Sequence, residues 1–267
     1  MTSFFSLALG TRTRFIVALC GAASTLACSG EASARTLAEV RALGSISMCA
    51  SPQTLPYASD VPENPGFQVE LGRAIAEGLG LSLSMEWIVP RRRANVVNCD
   101  MLLDSINDPN IQKGRALLSR PYQKSGVALG LNRDAEPVSD FKQLKKDQKI
   151  GVMISSVASM VLGKNGATTS PYAFQNDIIE DLAKGNLYGA AVSSATLSYY
   201  IFKNPESGLQ LVHAFDSAPE LTWEVAVGLR KSDEALVNEV NKVLDKLLAD
   251  GAVTRIYAKY GVEHRLP

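Results

Sequence analysis

A chain of 267 residues has room for one large domain or for two small ones with real cores. Its 27 basic side chains are matched by 27 acidic ones, so the positive field that a nucleic-acid or anionic-membrane binder requires is absent. His213 and His264 stand alone and the cysteines form no C-x-x-C, which leaves no metal-ligand or redox spacing and no predicted cofactor.

The N-terminus reads as an export signal. Arg12 and Arg14 precede an apolar run from Phe15 to Ala27 that is too short to span a bilayer comfortably. Ala32-Ser33-Ala34 then places small side chains where a signal peptidase needs them. Residues 1–34 are therefore predicted to be a cleaved signal peptide that sends the chain to the periplasm. Two alternatives stay open: an N-terminal membrane anchor, and a lipid on Cys28, where Leu26-Ala27-Cys28 looks like part of a lipobox although Thr25 sits where Leu is preferred. Nothing past residue 34 is long and apolar enough to be a transmembrane helix. Beyond the signal only Cys49 and Cys99 remain, and an isolated pair in an oxidising compartment is expected to form a disulfide.

Strand-like and helix-like segments then alternate, the pattern of an α/β protein with largely parallel sheets. Residues 45–50 read as a strand, and Pro52 and Pro56 force a loop after it. From Phe67, Leu71, Ile75 and Leu79 recur four apart on one helical face, stopped by Gly80. Residues 81–87 alternate as a half-buried strand, and Met101-Leu102-Leu103 is apolar enough for an interior one. If it lies beside the strand ending at Cys49, the thiols come within bridging reach. A strand over 126–131 leads into a polar stretch, Asn132 to Pro137, that looks like a hinge. The second β/α set follows: a strand at 149–153, a helix opened by Ser155-Ser156, a helix capped by Asn176, a buried strand at 188–192 and a helix from Ser193-Ser194 ended by Pro205. The last third holds a strand at 222–229, a long helix capped by Ser232-Asp233 and a short final helix before Gly261. Trp87 and Trp223 read as core or interface anchors. No nucleophile elbow, metal set or histidine paired with a nucleophile appears, so no enzyme is predicted.

This order of elements, with Gly66-Phe67-x-Val69-x-Leu71, Leu118-Ser119-Arg120-Pro121-Tyr122, Ile150-Gly151-Val152, the run Val225 to Asp233 and Tyr257-Ala258-Lys259-Tyr260-Gly261, resembles the family 3 extracellular solute-binding proteins. The resemblance covers nearly all of residues 45–262. It implies a type II periplasmic-binding fold with two lobes and a discontinuous first lobe: residues 35–131 and 222–267 in one, 132–221 in the other. Met48 to Tyr57, Cys99-Asp100, Ser119 to Tyr122 and Tyr260-Gly261-Val262 also look like the branch associated with quinoprotein alcohol dehydrogenases, whose members act as accessory or maturation proteins.

Amino-acid binders of this family clamp a zwitterion with an Arg on the first lobe and an Asp on the second. In this sequence those positions fall near Ile111 or Gln112, with Arg115 about three residues out of register, and near Ser194. An ordinary amino acid is thus not the expected ligand. The matching candidates for ligand binding are Tyr57 as an aromatic wall, Arg115, the helix-opening Ser155 and Ser156, and Ser194. Arg91-Arg92-Arg93 is either a solvated loop or an edge that grips an anion or an acidic partner. Two functions follow as expectations. One is a periplasmic receptor that closes on a small polar molecule and hands it to a membrane ABC permease. The alternative is an accessory protein that contacts a periplasmic quinoprotein dehydrogenase.

Overall fold

A computed structural model describes residues 35–88, 99–108, 116–230 and 232–267. The signal segment, Arg91-Arg92-Arg93 and Arg115 lie outside those residues.

A short helix, α1 (Leu37–Leu43), opens the described chain behind a reciprocal cap between Thr36 and Glu39. Strand β1 (Ser45–Ala50) follows, and a small hairpin of β2 (Gln53–Thr54) and β3 (Ala58–Ser59) leads to helix α2 (Phe67–Gly78). On α2, Leu71 and Ile75 are fully buried, as their four-residue spacing requires, and Gly80 adopts φ +73° just after the helix. β1 pairs in parallel with β4 (Ser82–Trp87) on one side and with β5 (Met101–Ile106) on the other. This placement puts the ends of β1 and β5 side by side. Cys49 and Cys99 are joined there, with Cα atoms 5.5 Å apart.

Strands β6 (Ala116–Leu118) and β7 (Gln123–Leu131) come next, and β7 changes partners along its length. Its first half, through Gly126, pairs antiparallel with β12 (Thr222–Arg230), whereas Val127 to Leu131 pairs with β10 (Gly189–Ser193). Gly126 stands at the changeover. A Cβ there would lie 2.4 Å from the Phe215 ring and 2.6 Å from the Leu221 carbonyl, so a glycine is what lets β7 run through.

The middle of the chain builds its own sheet. Strand β8 (Lys149–Met153) is flanked in parallel by β10 and by β9 (Thr168–Tyr172), while β11 (Gln210–Val212) pairs antiparallel with β7. Helices α3 (Val157–Lys164), α4 (Gln175–Ala183) and α5 (Ser194–Lys203) connect these strands. β9 and β11 escape the sequence reading because β11 has three residues and β9 is polar and carries a proline. β9 tolerates Pro171 because it is the outer strand of the path. A second difference is at α4: Asn176 lies inside the helix, whose first residue is Gln175 and whose N-cap is Phe174, without a side-chain cap bond.

β12 carries the chain back, and α6 (Glu234–Ala249) and α7 (Ala252–Ala258) pack against α2. Asp233 caps α6, its carboxylate accepting from Leu236 N at 3.0 Å. One core joins the N-terminal elements to the returning ones: Ile46, Phe67, Leu71, Met101, Val227, Leu236, Val240 and Tyr257 are all buried in it. The middle of the chain holds separate apolar clusters around Leu129, Ile150, Val152 and Phe215 and around Ile178, Leu182 and Leu197. The molecule is therefore two-lobed by its packing, with a discontinuous first lobe. By hydrogen bonding it is continuous, since β7 and β12 run beside one another and join ten strands of the described residues into one sheet. The linking segments of this protein are strands of both sheets, and the second core already includes Val127 to Leu131, upstream of the polar stretch at 132–137.

Candidate functional site

Tyr57 marks the place where the lobes meet. It follows a cis Leu55–Pro56 bond in the β2–β3 turn, where its N–H donates to Thr54 O at 2.8 Å and its carbonyl accepts from Gln68 N at 2.9 Å. Its ring packs 5.1 Å from Phe67, which stacks at 4.2 Å on Tyr257 in the first core. Gly66, at φ +88°, is needed for this approach, because a Cβ would sit 2.4 Å from the Tyr57 carbonyl oxygen. So anchored, the phenol reaches across to a hydrogen bond with Ser193 Oγ at the end of β10. Burial pushes the Tyr57 hydroxyl above its ordinary pKa, partly offset by hydrogen bonds from Ser193 and Thr196. It stays a neutral hydrogen-bonding group at physiological pH.

Two cavities flank Tyr57. The inner one, about 650 Å³, is walled on the first lobe by Ser51, Gln68, Asp104 and Trp223 and on the second by Ser156, Gln175 and Ser193. The outer one, about 700 Å³, lies between the 52–61 segment and helices α4 and α5, and shares Thr54, Tyr57, Met153 and Gln175 with the first. These volumes suit a small molecule.

The second-lobe wall is built from helix starts. Ser156 is the N-cap of α3, its Oγ accepting from Ser159 N at 3.1 Å, and it faces the inner cavity. Ser155 holds φ +58°, an uncommon conformation for a residue other than glycine, and is exposed. Gln175 begins α4 and accepts from Ser193 N at 2.7 Å, tying α4 to the end of β10. Ser194 is the first residue of α5, but the serine that meets Tyr57 is its neighbour Ser193.

The first-lobe wall is built from strand ends. On β5, Met101, Leu103 and Ser105 are buried while Leu102 and Asp104 face the inner cavity. The ladder to β12 is regular at Ser105–Ala226 and again at Leu102–Gly228, and it slips between them, so the irregularity falls beside Leu103 and Asp104. The Leu103 carbonyl takes a hydrogen bond from the buried Tyr122 hydroxyl. Asp104 projects into the cavity, where solvent touches it, but protein walls it closely enough that loss of bulk water raises its carboxyl above the ordinary Asp pKa.

The base of this wall is clamped. Besides the disulfide, buried Asp100 accepts from Ser47 N at 2.6 Å, from Ser47 Oγ at 2.8 Å and from Arg35 Nε at 2.9 Å. The structure thus brings together Tyr57 and Ser156 of the sequence candidates. Gln68, Asp104, Gln175, Ser193 and Trp223 were not foreseen. The one visible signal was Asp104, a charge breaking the apolar run Met101-Leu102-Leu103. Among the described residues no group of three or more His, Cys, Asp or Glu side chains is arranged to hold a metal ion, and no helix is long and apolar enough to cross a membrane.

Comparison with known proteins agrees with this architecture. The family model for bacterial extracellular solute-binding proteins, family 3, matches residues 46–263. A probable histidine-binding protein of Neisseria gonorrhoeae is 27% identical over 203 residues, 73% of this chain and 74% of that protein. Among solved structures, the L-cystine solute receptor of Neisseria gonorrhoeae in its unliganded open conformation superposes with a TM-score of 0.71 at 18% identity, covering 86% of this chain and 99% of that one. An ancestral cationic amino acid solute-binding protein also gives 0.71, at 19% identity over 84% of this chain and 98% of that one. These structures show the type II periplasmic-binding fold.

Proposed function

Because the chain belongs to the bacterial extracellular solute-binding proteins, family 3, we propose that it is a periplasmic receptor that closes on a small polar molecule in the Tyr57 cleft and presents it to a membrane ABC permease. The supporting observation is the convergence of polar side chains from two separately packed lobes, Gln68 and Tyr57 from one and Ser156, Gln175 and Ser193 from the other, on one cavity of about 650 Å³. Both lobes line the cavity, so a solute that touches both stabilises the closed arrangement, which is what a receptor of this kind requires. Export through the signal at residues 1–34 belongs to the same reading, as does the division into residues 35–131 with 222–267 and residues 132–221.

The solute we favour is not an ordinary amino acid. Relatives of this chain are named for histidine and L-cystine. The position of the ammonium-binding Asp in such proteins falls here near Ser194, and the described second-lobe residues of the inner cavity are uncharged. A zwitterion would forgo a charge-assisted bond of about 1.5 to 3 kcal/mol on that side. The accessory role beside a quinoprotein dehydrogenase rests on short motif likenesses alone, and the cleft geometry lends it nothing.

The test is a thermal-melt screen of the exported chain against metabolites, followed by small-angle scattering. A solute at 100 times its Kd adds about 2.7 kcal/mol to native stability, and compaction on binding is the expected second sign. A broad panel with no effect on Tm would sink the receptor reading.

A further inference from the structure

Asp104 is at odds with its surroundings. It sits on β5 between buried neighbours, at the slip in the β5–β12 ladder, and its cavity neighbours Leu102, Ile88, Val127 and Trp223 are largely apolar. Its side chain is exposed to the cavity's solvent, but the surrounding walls take away part of its hydration, a cost that a cation in the cavity would offset. Among the described residues none does: no ion pair reaches Asp104, and the other side chains lining the inner cavity are uncharged, Tyr57 included. The contact that favours its ionised form is with its own backbone N–H. Structural ion pairs elsewhere in the first lobe are satisfied, as Arg35 with Asp100 and Lys259 with Glu70 show. The carboxylate is therefore set apart from the scaffold's own pairing and turned into the space where a ligand lies.

We infer that the cleft takes a small organic cation, a protonated amine, whose ammonium group lies against the Asp104 carboxylate. This rests on the receptor reading above and narrows its substrate class. Trp223 lines the same cavity, and an aromatic ring beside a cation adds attraction through its quadrupole. Ser156, Gln175 and Ser193 on the opposite wall supply neutral hydrogen-bonding partners for the remainder of the molecule. An ammonium there displaces cavity water and pairs with the carboxylate through charge-assisted hydrogen bonds.

The experiment is calorimetric titration of the exported chain with three charge classes: putrescine, cadaverine and ethanolamine as protonated amines, glucose as a neutral solute and succinate as an anion. At least one cation is expected to bind, and Asp104→Asn is expected to weaken it about ten- to hundredfold, the worth of a charge-assisted hydrogen bond. Circular dichroism and Tm establish that the variant is folded. A second readout needs no variant. The titratable groups facing Asp104 are Tyr57 and Tyr122, both held neutral by pKa values above the ordinary tyrosine value, so binding of an amine by the unaltered chain should weaken as pH falls toward the carboxyl's range. Binding of glucose or succinate without any cation, or amine binding indifferent to Asp104→Asn and to acid, overturns this inference and leaves the receptor intact. Silence from every solute in this set and in the wider panel overturns both.

Discussion

The two walls of the cleft are made differently. On the first lobe the cavity is lined by strand ends and a turn, and these are fastened from behind by the Cys49–Cys99 disulfide, by Asp100 with its Ser47 and Arg35 donors and by the Phe67–Tyr257 stack. On the second lobe it is lined by helix starts, with a single cap at Ser156 and the Gln175–Ser193 bond as fastening. Charge follows the same division, with Asp104 on the first wall and uncharged side chains on the second. The difference teaches a division of labour. A carboxylate that has given up part of its hydration and has no ion partner among the described residues keeps its position in a rigid setting, whereas neutral hydroxyl and amide groups adapt at little cost. Large apolar side chains are also exposed on the second lobe beside its wall, at Ile154, Val157, Met160 and Phe174.

Cutting the covalent fastening should have the largest effect. The bridge closes a separation of 50 residues, for which the loop-entropy relation gives about 4 kcal/mol, so Cys49→Ser with Cys99→Ser is expected to lower the urea midpoint steeply. Loss of native stability below about 1 kcal/mol would show that the first wall is held by its packing and by Asp100 instead. A smaller effect is expected at the Tyr57–Ser193 bond between the walls. Tyr57→Phe removes the hydrogen bond to Ser193 while leaving the ring on Phe67, at about 0.5 to 1.5 kcal/mol of closed-state preference, and should raise the radius of gyration of the ligand-free chain. An unchanged scattering profile would mean that β7, β12 and the other contacts between the lobes, such as Asn64 with Tyr199 and Arg265 with Asp216, suffice to hold them.

The smallest effect is a matter of sign. Desolvation raises the Asp104 carboxyl above its ordinary value of 3.8, so the native state holds the proton more tightly than the unfolded chain. As pH rises from the unfolded value through the native one, stability is lost, and the full penalty remains at neutral pH. Asp104→Asn is therefore expected to raise the ligand-free Tm slightly at pH 7 and to change it little in acid below the ordinary Asp value, even as it weakens amine binding. A lower Tm at neutral pH would show that the carboxylate is a structural group, and that the contrast between the walls is not one of function.

Much of the first lobe was legible before any coordinates. The strand at 45–50, the four-residue spacing on α2, the Asp233 cap and the two cysteines all report local backbone preferences or compartment chemistry, and each appears where the sequence places it. Tyr57 and Ser156 were recognised as candidates because a motif and a cap surround them. Asp104, Gln175 and Trp223 were not, since nothing in their neighbours along the chain says which cavity they enter. Ser194 and Ser193 differ by one position at the point where β10 gives way to α5, and only the direction of the last strand residue decides which of them meets Tyr57.

Taken alone, the sequence determined the order of the main strands and helices, their apolar faces and the pairing of Cys49 with Cys99, because periodicity, capping and a lone thiol pair act over short range or by elimination. The tertiary structure decided that β7 serves both sheets, that β5 slips against β12 beside Asp104 and that two walls far apart in the chain share one cavity. Those outcomes depend on strand register and on how separate cores dock, and no local stretch of residues carries that information.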